Sequence, residues 1–172
     1  MIELEKTYLA KEFPTWLEQF PSEEIIDLYI PISSPHPKLR IRKNGKKCEI
    51  TKKKPVQEGD ASAQYEENIE LTREECDALF QTPGKNIQKI RYYYDYQWTI
   101  LEVDVFQGQL KGLIMIDVEF GSEKEKNDFQ MPPFCLAEVT QETALAGGMI
   151  CGKSYADIQS IVEKYGYRYI GE

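Results

Sequence analysis

Hydrophobic and polar positions alternate along most of this chain with a period of two. Met1–Ala10, Ile25–Ile32, Lys38–Lys43, Lys46–Lys54, Gln64–Leu71, Ile87–Tyr96, Gln97–Phe106 and Gly112–Phe120 all read as strands, because a strand sends successive side chains to opposite faces. Asn44 and Gly45 join the third and fourth as a tight hairpin, supplying the positive φ angles of a type I′ turn. Helical signals are fewer. Phe13–Phe20 reads as a short helix or turn. Thr72 with Glu75 forms a capping box that opens a helix ending near Gln81, before Pro83. Glu123–Asp128 reads as a charged helical turn, and Thr140 caps a helix through Ala146 that Gly147 and Gly148 end. Ser154 opens a last helix with Ile158, Ile161 and Val162 on one face and Gly166 as its stop. Eight strands with few crossover helices predict an antiparallel sheet, not a βαβ fold.

Within those strands a second pattern recurs. Glu3/Glu5, Arg40/Arg42, Thr51/Lys53, Lys89/Arg91, Glu102/Asp104 and Asp117/Glu119 are polar pairs with one residue between them. That residue is apolar in five pairs (Leu4, Ile41, Ile90, Val103 and Val118) and is Lys52 in the sixth. Residues i and i+2 share a strand face about 7 Å apart. Each pair therefore presents two polar groups to one side and an apolar group to the other. A solvated outer face explains any one pair, but not all six. Glu102, Asp104, Asp117 and Glu119 sit in otherwise apolar strands, where solubility does not require them. A sheet whose polar face holds like charges on most strands lines water or a ligand. Closing it gives an α+β fold: an eight-stranded antiparallel β-barrel, a tunnel with a polar interior and flanking helices.

Length and composition fit this picture. At 172 residues with 41% hydrophobic residues, the chain reads as a single domain, 1–172, with enough apolar residues for a core. No apolar run approaches the roughly 20 residues that span a bilayer. The opening residues carry no basic stretch or apolar signal core, so a cytoplasmic location and no membrane partner are expected. Cys48, Cys76, Cys135 and Cys151 lack metal-ligand spacing, and as scattered thiols they fit a reducing compartment. The single histidine, His36, lies between Pro35 and Pro37. That argues against Ser-His-Asp or Cys-His catalysis and against a His-based zinc site. The net charge of −8 opposes nucleic-acid binding. Even so, residues 38–54 hold nine Lys or Arg against one acid, Glu49, a local anion site or a solvated hairpin.

Carboxylates without histidine or thiolate partners select hard cations such as Mg²⁺ or Mn²⁺. Rows of Arg and Lys bind phosphate oxygens. Together these are the parts of phosphoryl chemistry, in which basic groups neutralise the phosphates and a carboxylate orients water. No Gly-rich phosphate loop precedes the lysines of Thr51–Lys54.

The ordered motifs also resemble the CYTH, or triphosphate tunnel metalloenzyme, family. The opening Glu3-Leu4-Glu5-Lys6-Thr7 resembles its Glu-x-Glu-x-Lys, Arg40-Ile41-Arg42 its Arg-x-Arg, Thr51-Lys52-Lys53 its Thr-x-Lys, and Lys89-Ile90-Arg91 its Lys-x-Arg. Asp104 to Leu113 and Asp117-Val118-Glu119 are similar to its acidic strands, and Glu138-Val139-Thr140 to its late Glu-Val-Thr. The likeness covers about residues 3–145, leaving 146–172 as a C-terminal helical extension expected to pack outside the barrel or cover one mouth. The resemblance implies an eight-stranded tunnel that cleaves triphosphates with a divalent metal. Arg40, Arg42, Lys53, Lys89 and Arg91 would bind triphosphate. Glu3, Glu5, Asp104, Asp117 and Glu119 would hold metal, with Glu5, Asp117 and Glu119 positioning water. Lys6, Glu66 and Glu102 are further candidates. Two departures stand out: Thr7 occupies the motif lysine, and Gln64 and Asn68 flank Glu66 where the family carries Arg-x-Glu-x-Glu.

The leading expectation is a metal-dependent hydrolase of triphosphate compounds, foremost inorganic tripolyphosphate. The alternatives are a class IV-type adenylate cyclase, a thiamine triphosphatase, or a non-catalytic polyphosphate or nucleotide sensor suggested by Thr7 and Asn68. A nucleic-acid-binding hairpin at Lys38–Lys54 ranks last.

Overall fold

Every strand pairing is antiparallel, and the first strand returns to the fifth to close the sheet on itself. The computed structural model describes residues 1–171. Among the described residues it has nine strands. They are β1 (Ile2–Ala10), β2 (Ser22–Ile30), β3 (Leu39–Asn44), β4 (Lys47–Pro55), β5 (Ala63–Glu70), β6 (Lys85–Tyr96), β7 (Thr99–Phe106), β8 (Ile114–Phe120) and β9 (Cys135–Glu138). The helices are α1 (Arg73–Leu79), α2 (Glu123–Asp128), α3 (Gly147–Ile150) and α4 (Tyr155–Glu163). The strands run around the barrel in the order β5-β4-β3-β2-β6-β7-β8-β1. Register closes through Ile2 opposite Tyr65 and Leu4 opposite Ala63. The second half of β1 outruns β5 and takes β9 as its neighbour, with Tyr8 opposite Glu138.

The apolar side of the barrel faces outward and is covered. Tyr8, Leu101, Val103, Ile114, Ile116 and Val118 pack beneath Leu17, Trp16, Phe129 and Phe134. Leu28 and Ile41 pack beneath Leu79 and Phe80 at the α1 end. Inside, the polar rows turn apolar towards one end. Leu9, Tyr29, Ile87, Phe106 and Met115 join Val139, Leu145, Ile150, Ile158, Val162 and Tyr167 in a third cluster. The segment from Val139 onward thus fills part of one mouth, α3 lying over it and α4 behind it. The fit is close. A Cβ on Gly147 would lie 2.1 Å from the Tyr29 hydroxyl, and one on Gly148 2.4 Å from the Pro37 carbonyl oxygen. The buried Tyr167 hydroxyl donates to the Gly112 carbonyl and accepts from the Ile114 amide, both at 2.8 Å, anchoring the C-terminal segment beside β8.

Several details differ from the sequence expectations. β2 begins at Ser22, ahead of its apolar run, because β6 pairs along its whole length from Ser22 to Tyr29. Gln97 and Trp98 are the β6–β7 turn, not strand residues, and both take positive φ (50° and 69°). Gly147 and Gly148 start α3; they do not end a helix, and the preceding helical turn is confined to Thr143–Leu145. Cys48 and Cys76 form a disulfide, their Cα atoms 6.1 Å apart, while Cys135 and Cys151 are free and buried. Docking of α1 on β4 brings together two cysteines 28 residues apart, a contact that spacing does not reveal. The reading of all four as scattered thiols is corrected accordingly. No described helix is long and apolar enough to cross a membrane.

Candidate active site

Alternation along the strands sends all six polar pairs into the barrel. Glu3, Glu5, Arg40, Arg42, Thr51, Lys53, Lys89, Arg91, Glu102, Asp104, Asp117 and Glu119 line one cavity of about 540 Å³. Liquid water takes about 30 Å³ per molecule, so a small ligand fits together with its waters. Around the barrel the charges segregate. Lys53 on β4, Arg40 and Arg42 on β3, and Lys89 and Arg91 on β6 occupy one half of the strand order. Glu102 and Asp104 on β7, Asp117 and Glu119 on β8, Glu3 and Glu5 on β1 and Glu66 on β5 occupy the other.

Each cation is held by carboxylates. Lys53 hydrogen-bonds Glu3 and lies 3.0 Å from Glu66 and 3.6 Å from Glu5. Arg91 grips Asp104 with Nε and Nη2, both at 2.7 Å, contacts Glu102, and lies 3.6 Å from Asp117. Lys89 also binds Asp104. Arg42 grips Asp27 with Nε and Nη2, both at 2.8 Å. Asp104 and Asp27 are each 1% exposed. Burial alone would raise the Asp104 pKa, but Arg91 and Lys89 hold it down at about 2. Asp27 likewise lies below the usual carboxylate range, because Arg42 overrides the effect of burial. Asp104 thus faces two cations from the adjacent strand, whereas Glu102 retains partial exposure to the cavity.

The acidic half behaves oppositely. Burial pushes Glu5 up to about 7; its neighbours Asp117, Glu3 and Glu119 add to the shift and Lys53 opposes it. Glu119 also rises to about 7, through burial and the nearby Glu102 and Glu3. Carboxylates crowded in this way are short of positive charge. All their donors are hard oxygens, which suit Mg²⁺ or Mn²⁺ and not zinc or copper. Among the described residues no three such groups already form a metal cage. The fit rests on the donor chemistry and on the excess of acids over bases lining the cavity.

Thr7, at the position of the motif lysine, serves the acidic half. Its hydroxyl donates to Asp117 Oδ1 at 2.7 Å, and its amide donates to Thr140 Oγ1 at 3.1 Å. Lys6 does not line the cavity; alternation turns it outward, opposite Val118. Glu66 lines it and accepts from Asn68 at 2.6 Å, so the departure at Asn68 gives Glu66 a partner. Sequence reasoning missed Asp27. It is the single acid within the apolar run Ile25–Ile30 of β2, and the only signal was its place directly opposite Arg42 once β2 and β3 pair.

Against known proteins, no family model matches the chain. An inorganic triphosphatase from Nitrosomonas europaea is 31% identical over 144 residues, covering 83% of this chain and 91% of that protein. A solved structure of an inorganic triphosphatase superposes with a TM-score of 0.62 at 24% identity, over 88% of this chain and 95% of that one. A solved structure described as a putative adenylate cyclase from Bacillus halodurans shares the fold, with a TM-score of 0.57 at 16% identity over 99% of this chain and 92% of that one. Identity of this size, sustained across most of both sequences and accompanied by the same barrel, shows that the chain belongs to the family of the Nitrosomonas inorganic triphosphatase.

Proposed function

We propose that this protein is a metal-dependent triphosphate hydrolase of the CYTH, or triphosphate tunnel metalloenzyme, class, with inorganic tripolyphosphate as its substrate. The observation that carries the reading is the division of one barrel cavity into a basic half and an acidic half. A polyanion alone would be repelled by the carboxylates and a cation alone by the arginines, whereas a polyphosphate with a divalent cation satisfies both. The name and activity of the Nitrosomonas relative support the same reading.

Arg40, Arg42, Lys53, Lys89 and Arg91 bind phosphate oxygens, the arginines through their planar forks. Glu3, Glu5, Asp117 and Glu119 are the residues that would hold Mg²⁺ or Mn²⁺. Bound there, the ion would supply positive charge to the phosphate oxygens as they gain negative charge. Asp104 keeps Lys89 and Arg91 in place. Thr7 Oγ1 orients Asp117 by donating to Oδ1. A carboxylate oxygen of Glu119 or of Glu5, which stand opposite each other on β8 and β1 and both line the cavity, takes the proton of the water that attacks the terminal phosphorus in line with the departing pyrophosphate.

The test is phosphate release from tripolyphosphate with Mg²⁺ or Mn²⁺. Wild-type protein should release phosphate. Glu119→Gln should lower kcat by about a hundredfold or more through loss of the base, and Arg42→Ala should raise the KM for tripolyphosphate by about a hundredfold. Tight binding of tripolyphosphate without hydrolysis under any metal would replace the enzyme with a sensor.

A further inference from the structure

We infer that Asp27 is a positioning residue for the substrate's phosphates, acting through Arg42 and Arg40. The inference rests on the triphosphatase reading above and concerns a residue outside the motif pairs.

Asp27 lies on β2, between β3 and β6, in the middle of the basic half. It is 1% exposed, and both carboxylate oxygens accept from one guanidinium, Nε to Oδ1 and Nη2 to Oδ2 of Arg42. This pairing uses one edge of the Arg42 fork and fixes its plane, so the remaining Nη1 edge is presented to the cavity. Arg40, two residues along the same strand face, stands 4.0 Å away from Asp27 Oδ1. That is attraction without a hydrogen bond, and Arg40 Nε is buried with no hydrogen-bond partner. A buried donor left open in this way is rare in folded proteins. Placed in the cavity beside a second arginine, it suits a ligand oxygen. One buried acid therefore treats the two arginines differently. It fixes the orientation of Arg42 and offsets its charge, and it holds Arg40 close while leaving that donor open.

This acid differs from those gripping Lys53. Glu66 stands directly opposite Lys53 on the neighbouring β5, Glu3 and Glu5 lie one strand further on β1, and all three remain partly exposed to the cavity. They can turn to a cation when substrate arrives. Asp27 has no such alternative, because it is buried beneath the arginines it holds. It touches neither the reacting phosphate nor the acids that would hold metal.

Because phosphate contacts of this kind act alike in ground and transition states, their loss weakens binding more than turnover. Asp27→Asn should raise the KM for tripolyphosphate about tenfold or more while leaving kcat within about threefold. Calorimetric affinity for tripolyphosphate without metal should fall in parallel. A purely structural role would lower the melting temperature and leave the KM of the folded protein unchanged. That outcome overturns the inference, as does a fall in kcat at constant KM. Should the single variant fail to fold, the Arg42→Ala/Asp27→Asn double variant removes both members of the pair. Compared with Arg42→Ala alone it should bind tripolyphosphate equally within about twofold. A further tenfold loss would show that Asp27 acts otherwise than through Arg42. Normal wild-type turnover with an unaffected Asp27→Asn KM overturns this inference alone. Absence of both turnover and binding in the wild type overturns the proposed function and the inference with it.

Discussion

At the scale of single residues, the barrel interior contains two kinds of ion pair. Asp27 and Asp104 are sealed against arginine forks, whereas Lys53 sits among carboxylates that still face the cavity. The sealed pairs have a consequence for stability. Both aspartates ionise at lower pH in the folded chain than in the unfolded one. Their stabilisation is therefore complete above the unfolded pKa of about 4 and is lost as pH falls through the folded value, about 2 for Asp104. Asp104 alone accounts for stability on the order of 2 kcal/mol by this linkage. Urea midpoints measured at pH 5, 4 and 3 should decline, and Asp104→Asn should flatten the decline even if it lowers the midpoint at pH 5. The six pairs were legible because like charges at i and i+2 stand out against alternation. Asp27 was not, since its partner lies 15 residues away and becomes its neighbour only through the register of β2 and β3.

Among the elements, the β6–β7 hairpin is the one whose sequence and geometry disagree. Its turn places Gln97 and Trp98 at positive φ, where Asn-Gly would be expected. Trp98 is 96% exposed and supports no core. Tyr94 and Tyr96 nearby pack against Phe134 instead, so the strands hold the turn in place against its own preference. Trp98→Gly should remove backbone strain without creating a cavity and raise stability by about 0.5–1 kcal/mol, read as a higher urea midpoint. The absence of a turn signal is also why the hairpin position was misplaced in the sequence, whereas Asn44-Gly45 located the β3–β4 turn correctly. β9 escaped for a different reason. Its four residues follow Pro132 and Pro133 and are too short for alternation to register; they become a strand because the second half of β1, paired with β8 on one edge, outruns β5 on the other. Ile87, Phe106 and Met115, which line the cavity, read as ordinary strand residues. Only the packed segment after Val139 shows that they floor part of the cavity.

For the whole molecule, the charge separation across the barrel would govern any response to metal. Glu5 and Glu119 titrate near pH 7 because burial and their neighbours disfavour charge. A raised carboxyl pKa is stabilising at low pH and becomes a burden as pH rises through it. Added Mg²⁺ should therefore raise the melting temperature more at pH 8 than at pH 6, by about 3 °C or more if it contributes about 1 kcal/mol. Equal shifts at both pH values would show that the ion binds elsewhere. That the sheet closes, and that its inside is polar, followed from counting polar faces on strands. Which strands stand opposite one another did not, because it depends on β6 lying beside β2 instead of β5. This crossing gathers the arginine and lysine strands on one side and leaves the acids together on the other. The resulting bore has no mirror plane along its length. The central phosphorus of a symmetric triphosphate carries two nonbridging oxygens that are equivalent in solution. With the phosphate chain lying along this barrel, one of them would face guanidinium groups and the other carboxylates. The charge separation would thereby distinguish two oxygens that rotation exchanges in the free triphosphate, and a single sulfur at that phosphorus would select one direction of the chain along the bore.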